Sequence, residues 1–222
     1  MLLTRYYFAG EFEPYLETFR SYAYRRRRIQ RGEYLCTFAE PLDRVYYIVN
    51  GVTRLSVLHD NGEEKLFGFW AHDSIFPIIC SMQDFHLEYS ILLKAETNTE
   101  VLEFSVDTFT RILTDHNAIM VEVIDHYCRF CNMLLFSSAT RDYENTRTRI
   151  CNVIYTHLYF TKEKEMVSLS QSDIASLIGT TRVTVARELA FMRKKGLIET
   201  KRGKIRVLDF DGVKSEASEL TK

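Results

Sequence analysis

At about Val106 the apolar residues of this chain change their period, and two different architectures must therefore share one molecule. Before that point, the runs RGEYLCTF, RVYYIVNGVTRLSVL, KLFGFW and YSILLKAETNTEVLEFS are short, rich in Tyr, Val, Ile and Thr, and separated by turn residues. Such text predicts a small antiparallel barrel or roll over about residues 24–110. The sharpest hairpin signal is TRLSVLHDNGEEKLFGFW, where Asn61-Gly62 offers the two positive-φ residues of a tight type I′ turn, and Gly51 marks a second bend. The arginine run RRRRIQRG at residues 25–32 falls on the first roll strand. Alternate residues of a strand face opposite sides, so these arginines cannot form one patch, and the run reads as a solvated edge.

Beyond the change, Met120, Ile124, Tyr127, Cys131, Leu134 and Ser138 follow at spacings of 4, 3, 4, 3 and 4, the a/d seam of a heptad. Ile119, Val123, Phe130 and Met133 make a second apolar stripe beside it. A helix with two apolar faces has two surfaces to cover. The expectation is that one packs on the roll and the other on a second copy of the same helix; a helix sunk in a monomer core is the alternative. Asp142-Tyr143-Glu144-Asn145 breaks the pattern and reads as a hinge, after which TRTRICNVIYTHLYF is helical again. The predicted division is a sensor roll at 1–112, a dimerisation helix at 113–141 and a compact C-terminal unit at 142–222.

In that unit, SLSQSDIASLIG opens on Ser170 as a helix N-cap with Asp173 three residues on, a capping-box variant. Ile174, Leu177 and Ile178 form its apolar face. Ala175, Gly179 and Val185 then stand where a small residue lets a second helix cross close, a glycine permits the tight turn and a valine closes the angle, which is the helix-turn-helix pattern. The second helix, TTRVTVAREL, is built from β-branched residues of poor helix propensity, so its outer face has a task. Val185 and Leu189 point inward, while Arg182, Val183, Ala186 and Arg187 point out. An arginine takes guanine O6 and N7 bidentately, and Val183 suits a thymine methyl. Thr181, as N-cap, and Thr184 suit phosphate oxygens. Ser170 and Gln171, at the start of the first helix, complete the expected set. GLIETKRGKIRVLDF follows as a hairpin tipped by Lys201, Arg202 and Lys204, a basic wing for the phosphate backbone. Between Gly179 and Val207 nine Lys or Arg face two Glu, so a formal net charge of −1 conceals a basic end.

The order of parts resembles the Crp-Fnr family of bacterial transcription regulators over nearly the whole chain. Its most specific piece is LSQSDIASLIGTTRVTVARELAFMRKKGLIETKRGKIRVLD, and a weaker one is GEYLCTFAEPLDRVYYIVNGVTRLSVLHDNGEEKLF. The resemblance implies an α+β fold: a cyclic-nucleotide-binding-like β-roll, a long dimerisation helix and a winged helix-turn-helix. It also implies a homodimer on an inverted repeat of double-stranded DNA, with RNA polymerase as a further partner of an activator. Arg182 and Arg187 occupy the family's base-reading arginine positions. Val183 replaces the glutamate found after the first arginine in the cyclic AMP receptor protein, so the half-site does not transfer. Members that bind cyclic AMP carry Gly-Glu and Arg-Ser pairs for ribose and phosphate. Here Phe76-Pro77 and Tyr89-Ser90 stand in those places, which removes the cation and argues against cyclic AMP.

Three sensing chemistries remain open. A small organic effector would be bounded by Trp70, Phe76, Tyr89, Tyr127 and Phe130, with Lys94 or Lys65 offered to a carboxylate; the family's regulators of organohalide respiration share the Val-Thr-Val run and bind aromatic acids. No cofactor is expected; haem, with His72 or His86 as axial ligand, is the second chemistry kept open. The third is redox control through Cys128-x-x-Cys131. Only Cys36 precedes residue 80, which argues against a four-thiolate cluster, and the five scattered cysteines are expected as free thiols.

No paired-carboxylate cleft, nucleophile motif or metal-ligand spacing suggests an enzyme. A sensor that binds protein through its basic end is the rival within binding functions. No apolar run approaches the length of about 20 residues that a membrane span needs. Arg5, Glu11 and Glu13 interrupt the N-terminus where a signal peptide keeps an apolar core, so the expected location is the cytoplasm.

Overall fold

The computed structural model describes residues 6–36, 44–59, 62–76, 90–161, 165–201, 204–219 and 221. They form two compact units. One is Tyr7–Cys128, and the other is Arg129–Lys222 with the segment ending at Tyr6.

The first unit is a roll of nine strands: β1 (Tyr7–Phe8), β2 (Arg25–Ile29), β3 (Tyr34–Cys36), β4 (Arg44–Asn50), β5 (Val52–Leu58), β6 (Glu64–Ala71), β7 (Ser74–Phe76), β8 (Ser90–Ala95) and β9 (Thr99–Ser105). They make two sheets, ordered β1-β6-β5-β8-β3 and β2-β9-β4-β7. All pairings are antiparallel except β1 on β6, where Tyr7 lies beside Phe69 and Phe8 beside Trp70. Helices α1 (Leu16–Tyr22), α2 (Val106–Asp115) and the start of α3 (Asn117–Tyr143) complete the unit. Cross-strand partners Val45 with Phe104 and Tyr47 with Leu102 share one sheet face, and they join Phe12, Phe19, Phe109, Ile112, Ile119 and Val123 in a single buried cluster. The start of α3 thus covers the roll through Ile119 and Val123.

The expected hairpin forms between β5 and β6, but not with the expected turn. His59 N donates to Glu63 O and Gly62 N to His59 O, both at 2.9 Å, so three residues separate the paired positions instead of two. Gly62 has the positive φ, +84°; Asp60 and Asn61 lie outside the described residues. The reason is register: β5 and β6 carry a bulge between Leu55 and Ser56, and the odd residue shifts which positions meet at the turn. Gly51 has a double constraint. Its φ is +97°, and a Cβ there would sit 2.5 Å from Thr99 Oγ1 and 2.7 Å from Asn98 O.

The arginine strand β2 lies at a sheet edge and divides by face as expected. Arg26 and Arg28 pair with Glu100, while Arg25 and Arg27 pair with Glu103. The solvated-edge reading covers only part of this, because Glu103 is buried: Arg27 Nη1 reaches its Oε1 at 2.8 Å and the Tyr24 hydroxyl its Oε2 at 3.2 Å.

Helix α3 begins after a break at His116 and ends at Tyr143, and Glu144-Asn145 separates it from α4 (Thr146–Thr161). The polar interruption seen in the sequence is therefore a true helix break, with Asn145 Oδ1 accepting from Thr148 N at 3.0 Å to start the next helix. On α3 the buried stripe is Ile119, Val123, His126 and Met133, with Phe130 half buried. Met120, Val121, Ile124, Tyr127 and Leu135 are exposed, as is Cys128. Among the described residues no helix is long and apolar enough to cross a membrane.

The second unit adds β10 (Met166–Val167), α5 (Gln171–Ile178), α6 (Arg182–Lys194), β11 (Ile198–Lys201), β12 (Lys204–Val207) and α7 (Phe210–Glu216). Helix α4 is its buried spine. Asn152 Oδ1 on that spine accepts from Ser218 N at 2.9 Å, which ties down the chain after α7. Tyr6 is buried in this unit, hydrogen-bonded to Ser137 and beside the Arg149 guanidinium; burial pushes its phenol up to about 12.

Candidate DNA interface

Helix α5 starts as its sequence dictates. Ser170 Oγ accepts from Asp173 N at 3.1 Å and Asp173 Oδ2 accepts from Ser170 N at 3.0 Å, a complete capping box. Gly179 ends the helix in the left-handed region at φ +64°. The last carbonyl of the helix, Ile178 O, accepts from Arg149 Nη1 at 2.7 Å, so α4 holds the turn from behind. Ile174, Ala175, Leu177 and Ile178 are buried beneath, as are Val185, Leu189 and Met192 of α6.

What remains outside on α6 is the predicted reading face. Arg182 and Arg187 are exposed and Val183 is 78% exposed; Ala186 is half buried. Thr181 caps the helix, accepting from Thr184 N at 3.1 Å, and the two threonine hydroxyls lie 2.9 Å apart. That pair gathers polar oxygens and the orphan amides of the first turn at one end of α6, where the helix dipole favours a phosphate.

The wing forms with the register Ile198 to Val207 through Lys201 to Lys204, and β10 adds a third strand on the far side of β12. Arg202, the expected tip cation, lies outside the described residues; Lys201 and Lys204 flank it and are exposed. Arg193 Nη1 donates to Thr200 Oγ1 at 2.8 Å and so locks α6 to the wing. Between them runs a cleft of about 330 Å³ lined by Ser170, Gln171, Arg182, Thr200, Lys201 and Lys204. Of the predicted DNA-binding residues, Ser170, Gln171, Arg182 and Lys201 line this cleft, while Thr181, Val183, Thr184 and Arg187 are not among its lining.

Sequence reasoning missed the support behind that surface. Arg147 of α4 grips Glu188 of α6, with Nε at 3.1 Å and Nη2 at 3.0 Å from Oε2, and its guanidinium lies 3.7 Å over the Phe191 ring. Partners 41 residues apart leave no periodic trace.

The predicted effector residues converge less. Trp70 and Phe76 are buried edge to face at 5.9 Å, with Phe8 stacked on Trp70 at 4.8 Å. Trp70 Nε1 donates to His126 Nε2 at 3.3 Å, a contact that the apolar reading of α3 did not foresee, although position 126 fills the gap in its 4-and-3 spacing. Lys94 does not join them. Trp70 pairs with Thr53 across the sheet and Lys94 with the adjacent Arg54, which puts Lys94 on the opposite face, 5.4 Å from the Tyr34 ring. Tyr127 is exposed on α3 and Phe130 is half buried in the second unit; Tyr89 lies outside the described residues, as do Pro77, Cys80 and His86. His72 is at the surface with Nδ1 3.1 Å from Asp73 Oδ2. None of the four described cysteines is in a disulfide: Cys36 and Cys151 are buried, Cys131 is half buried and Cys128 exposed.

A roll, a long helix and a winged helix-turn-helix with an exposed basic face define a class of DNA-binding regulator. Two family models match the chain, the cyclic nucleotide-binding domain over residues 26–116 and the Crp-like helix-turn-helix domain over residues 148–215. The global nitrogen regulator of Nostoc sp. is 24% identical over 204 residues, 89% of this chain and 87% of that protein. The transcriptional activator protein FnrA of Stutzerimonas stutzeri is 24% identical over 196 residues, covering 85% and 79%. The solved structure of OCPA-complexed CprK has the same fold, with a TM-score of 0.72 at 18% identity over 96% of this chain and 98% of that one. The chain belongs to the Crp-Fnr family of DNA-binding transcription regulators, proteins that are not enzymes.

Proposed function

We propose that the protein is a cytoplasmic homodimeric regulator that recognises an inverted-repeat operator under the control of a small-molecule effector other than cyclic AMP. The observation that carries the reading is the sorting of α6, where Val185, Leu189 and Met192 are sealed in the core while Arg182, Val183 and Arg187 are exposed. In this division of labour residues 1–112 sense, 113–141 pair and 142–222 read DNA. Arg187 and Arg182 take base edges, with Val183 on a thymine methyl. Ser170, Gln171, Thr181, Thr184, Lys201 and Arg202 hold phosphates and fix register.

Dimerisation rests on the apolar face that α3 leaves uncovered: Ile124 is 56% exposed and Leu135 69%. Met120, Ile124, Tyr127, Cys131 and Leu134 would meet their counterparts there, with Val121, Cys128 and Leu135 widening the seam by one row. Two recognition helices related by a two-fold axis then reach successive major-groove faces about one helical turn apart. As an activator the dimer would also touch RNA polymerase.

Against cyclic AMP stands Phe76, buried on Trp70 where a phosphate cassette needs a carboxylate and a cation. Trp70 and Phe76 favour an apolar or aromatic effector, a class represented among neighbours of this fold by CprK with o-chlorophenolacetic acid. Selection from a randomised duplex pool tests the DNA reading: an enriched inverted repeat supports it, and a pool that stays random overturns it. Thermal shift against aromatic acids tests the effector class, and an anaerobic absorption spectrum without a Soret band would remove haem and its ligand His72 as the alternative.

A further inference from the structure

Glu188 is the one acidic residue on α6, and it stands next to the arginine assigned to base reading. A carboxylate near a DNA surface repels phosphate, so its presence calls for a reason. Its side chain is only 15% exposed, and its two oxygens have different partners. Oε2 is taken by the Arg147 fork; Oε1 faces Arg187 Nε at 3.6 Å. Arg147 is in turn fixed by the Phe191 ring beneath its guanidinium. Arg187 itself is 75% exposed, and its Nε is the atom that approaches Glu188, so most of its guanidinium remains open to solvent.

We propose that Glu188 is a positioning residue for Arg187. The carboxylate, anchored on α4 by Arg147, draws the Nε edge of Arg187 to one side of the helix and presents its terminal fork to the groove. A long side chain held this way gives up less rotamer freedom when it binds a guanine, and it meets other bases with the same fixed geometry. Arg147 offsets the charge of Glu188, which limits its repulsion of phosphate. The inference rests on the base-reading role of Arg187 proposed above.

The test uses the full-length protein, the duplex enriched from a randomised pool, its single-base variants and an unrelated duplex of equal length. Arg187→Ala first identifies the base pair that Arg187 reads. Glu188→Gln should then lower discrimination at that pair about two- to tenfold, the range set by freeing one long side chain. Affinity for the unrelated duplex should rise, because a negative charge has gone. A merely destabilised helix would lose both together. In an Arg187→Ala background Glu188→Gln should no longer change discrimination. Should Glu188→Gln fail to fold for want of a partner to Arg147, Glu188→Asp keeps the charge and withdraws the oxygens by one methylene, and the same loss of discrimination is expected. Discrimination unchanged in a folded Glu188 variant, while Arg187→Ala abolishes it, overturns the positioning role alone. If Arg187→Ala leaves discrimination intact, or no sequence is enriched, the base-reading role falls and the positioning role with it.

Discussion

Arg187 and Lys201 bring the same charge to different parts of a duplex. Arg187→Ala should cost about 1–3 kcal/mol at one base pair, whereas Lys201→Ala should weaken all sequences alike and reduce the salt slope by about 1. Competition binding on single-base variants at two salt concentrations separates them; uniform losses from both would mean that Arg187 touches only the backbone. At this scale the sequence was legible where a residue's chemistry is local. The caps at Ser170 and Thr181, the buried Val185 and the exposed Val183 all follow from residue type and spacing. It was illegible where a partner is remote. Nothing near Glu103 in the text announces Arg27, and nothing near Glu188 announces Arg147. Gly51 lies between these cases: the bend could be read, but the crowding against Thr99 could not. Gly51→Ala combines a disfavoured φ with a Cβ that overlaps backbone, and should lower the unfolding free energy by roughly 2–4 kcal/mol in denaturant titration.

At the scale of elements, α3 shows how far a periodic pattern reaches. Two stripes were visible because heptad spacing survives any context, and the structure buries one of them on the described chain. The pattern could not say which row lies at the centre of the exposed stripe, since rows one position apart are both apolar. Solvent exposure now brings Val121, Cys128 and Leu135 into the face alongside Ile124. Ile124→Asp should place two like charges in the proposed dimer seam, weaken association by about 3–5 kcal/mol and yield monomers in sedimentation equilibrium while the roll stays folded. A dimer of unchanged affinity would locate the interface elsewhere. The hairpin turn carries the opposite lesson. Asn-Gly pointed to a turn in the right place, but the bulge between Leu55 and Ser56 decided its length, and bulges leave no signature in alternation.

For the whole molecule, the half-buried His157 of the α4 spine sets a limit on acid stability. Burial pulls the His157 imidazole down to about 4. An unfolded imidazole titrates near 6.5, so the unfolded chain binds the proton first. Stability is therefore complete above that pH and falls as pH drops toward 4, by up to about 3 kcal/mol from this group. His157→Gln should flatten that limb in denaturant titrations at pH 7, 5.5 and 4, and an unchanged slope would assign it to other groups. The fold as a whole was readable because its two periods belong to different architectures; the first strand and the helices α1 and α7 were not, being too short to show a period.

The chain passes between its two units twice, once inside the unbroken helix α3 and once at the bond joining Tyr6, buried in one unit, to Tyr7, paired in the sheet of the other. Proteases need an extended, accessible stretch of chain, and neither crossing offers one. The two units will therefore not be parted by brief digestion at either crossing, as domains strung on a loose linker are. Cuts will fall in surface loops within a unit, and their products should remain associated until denatured.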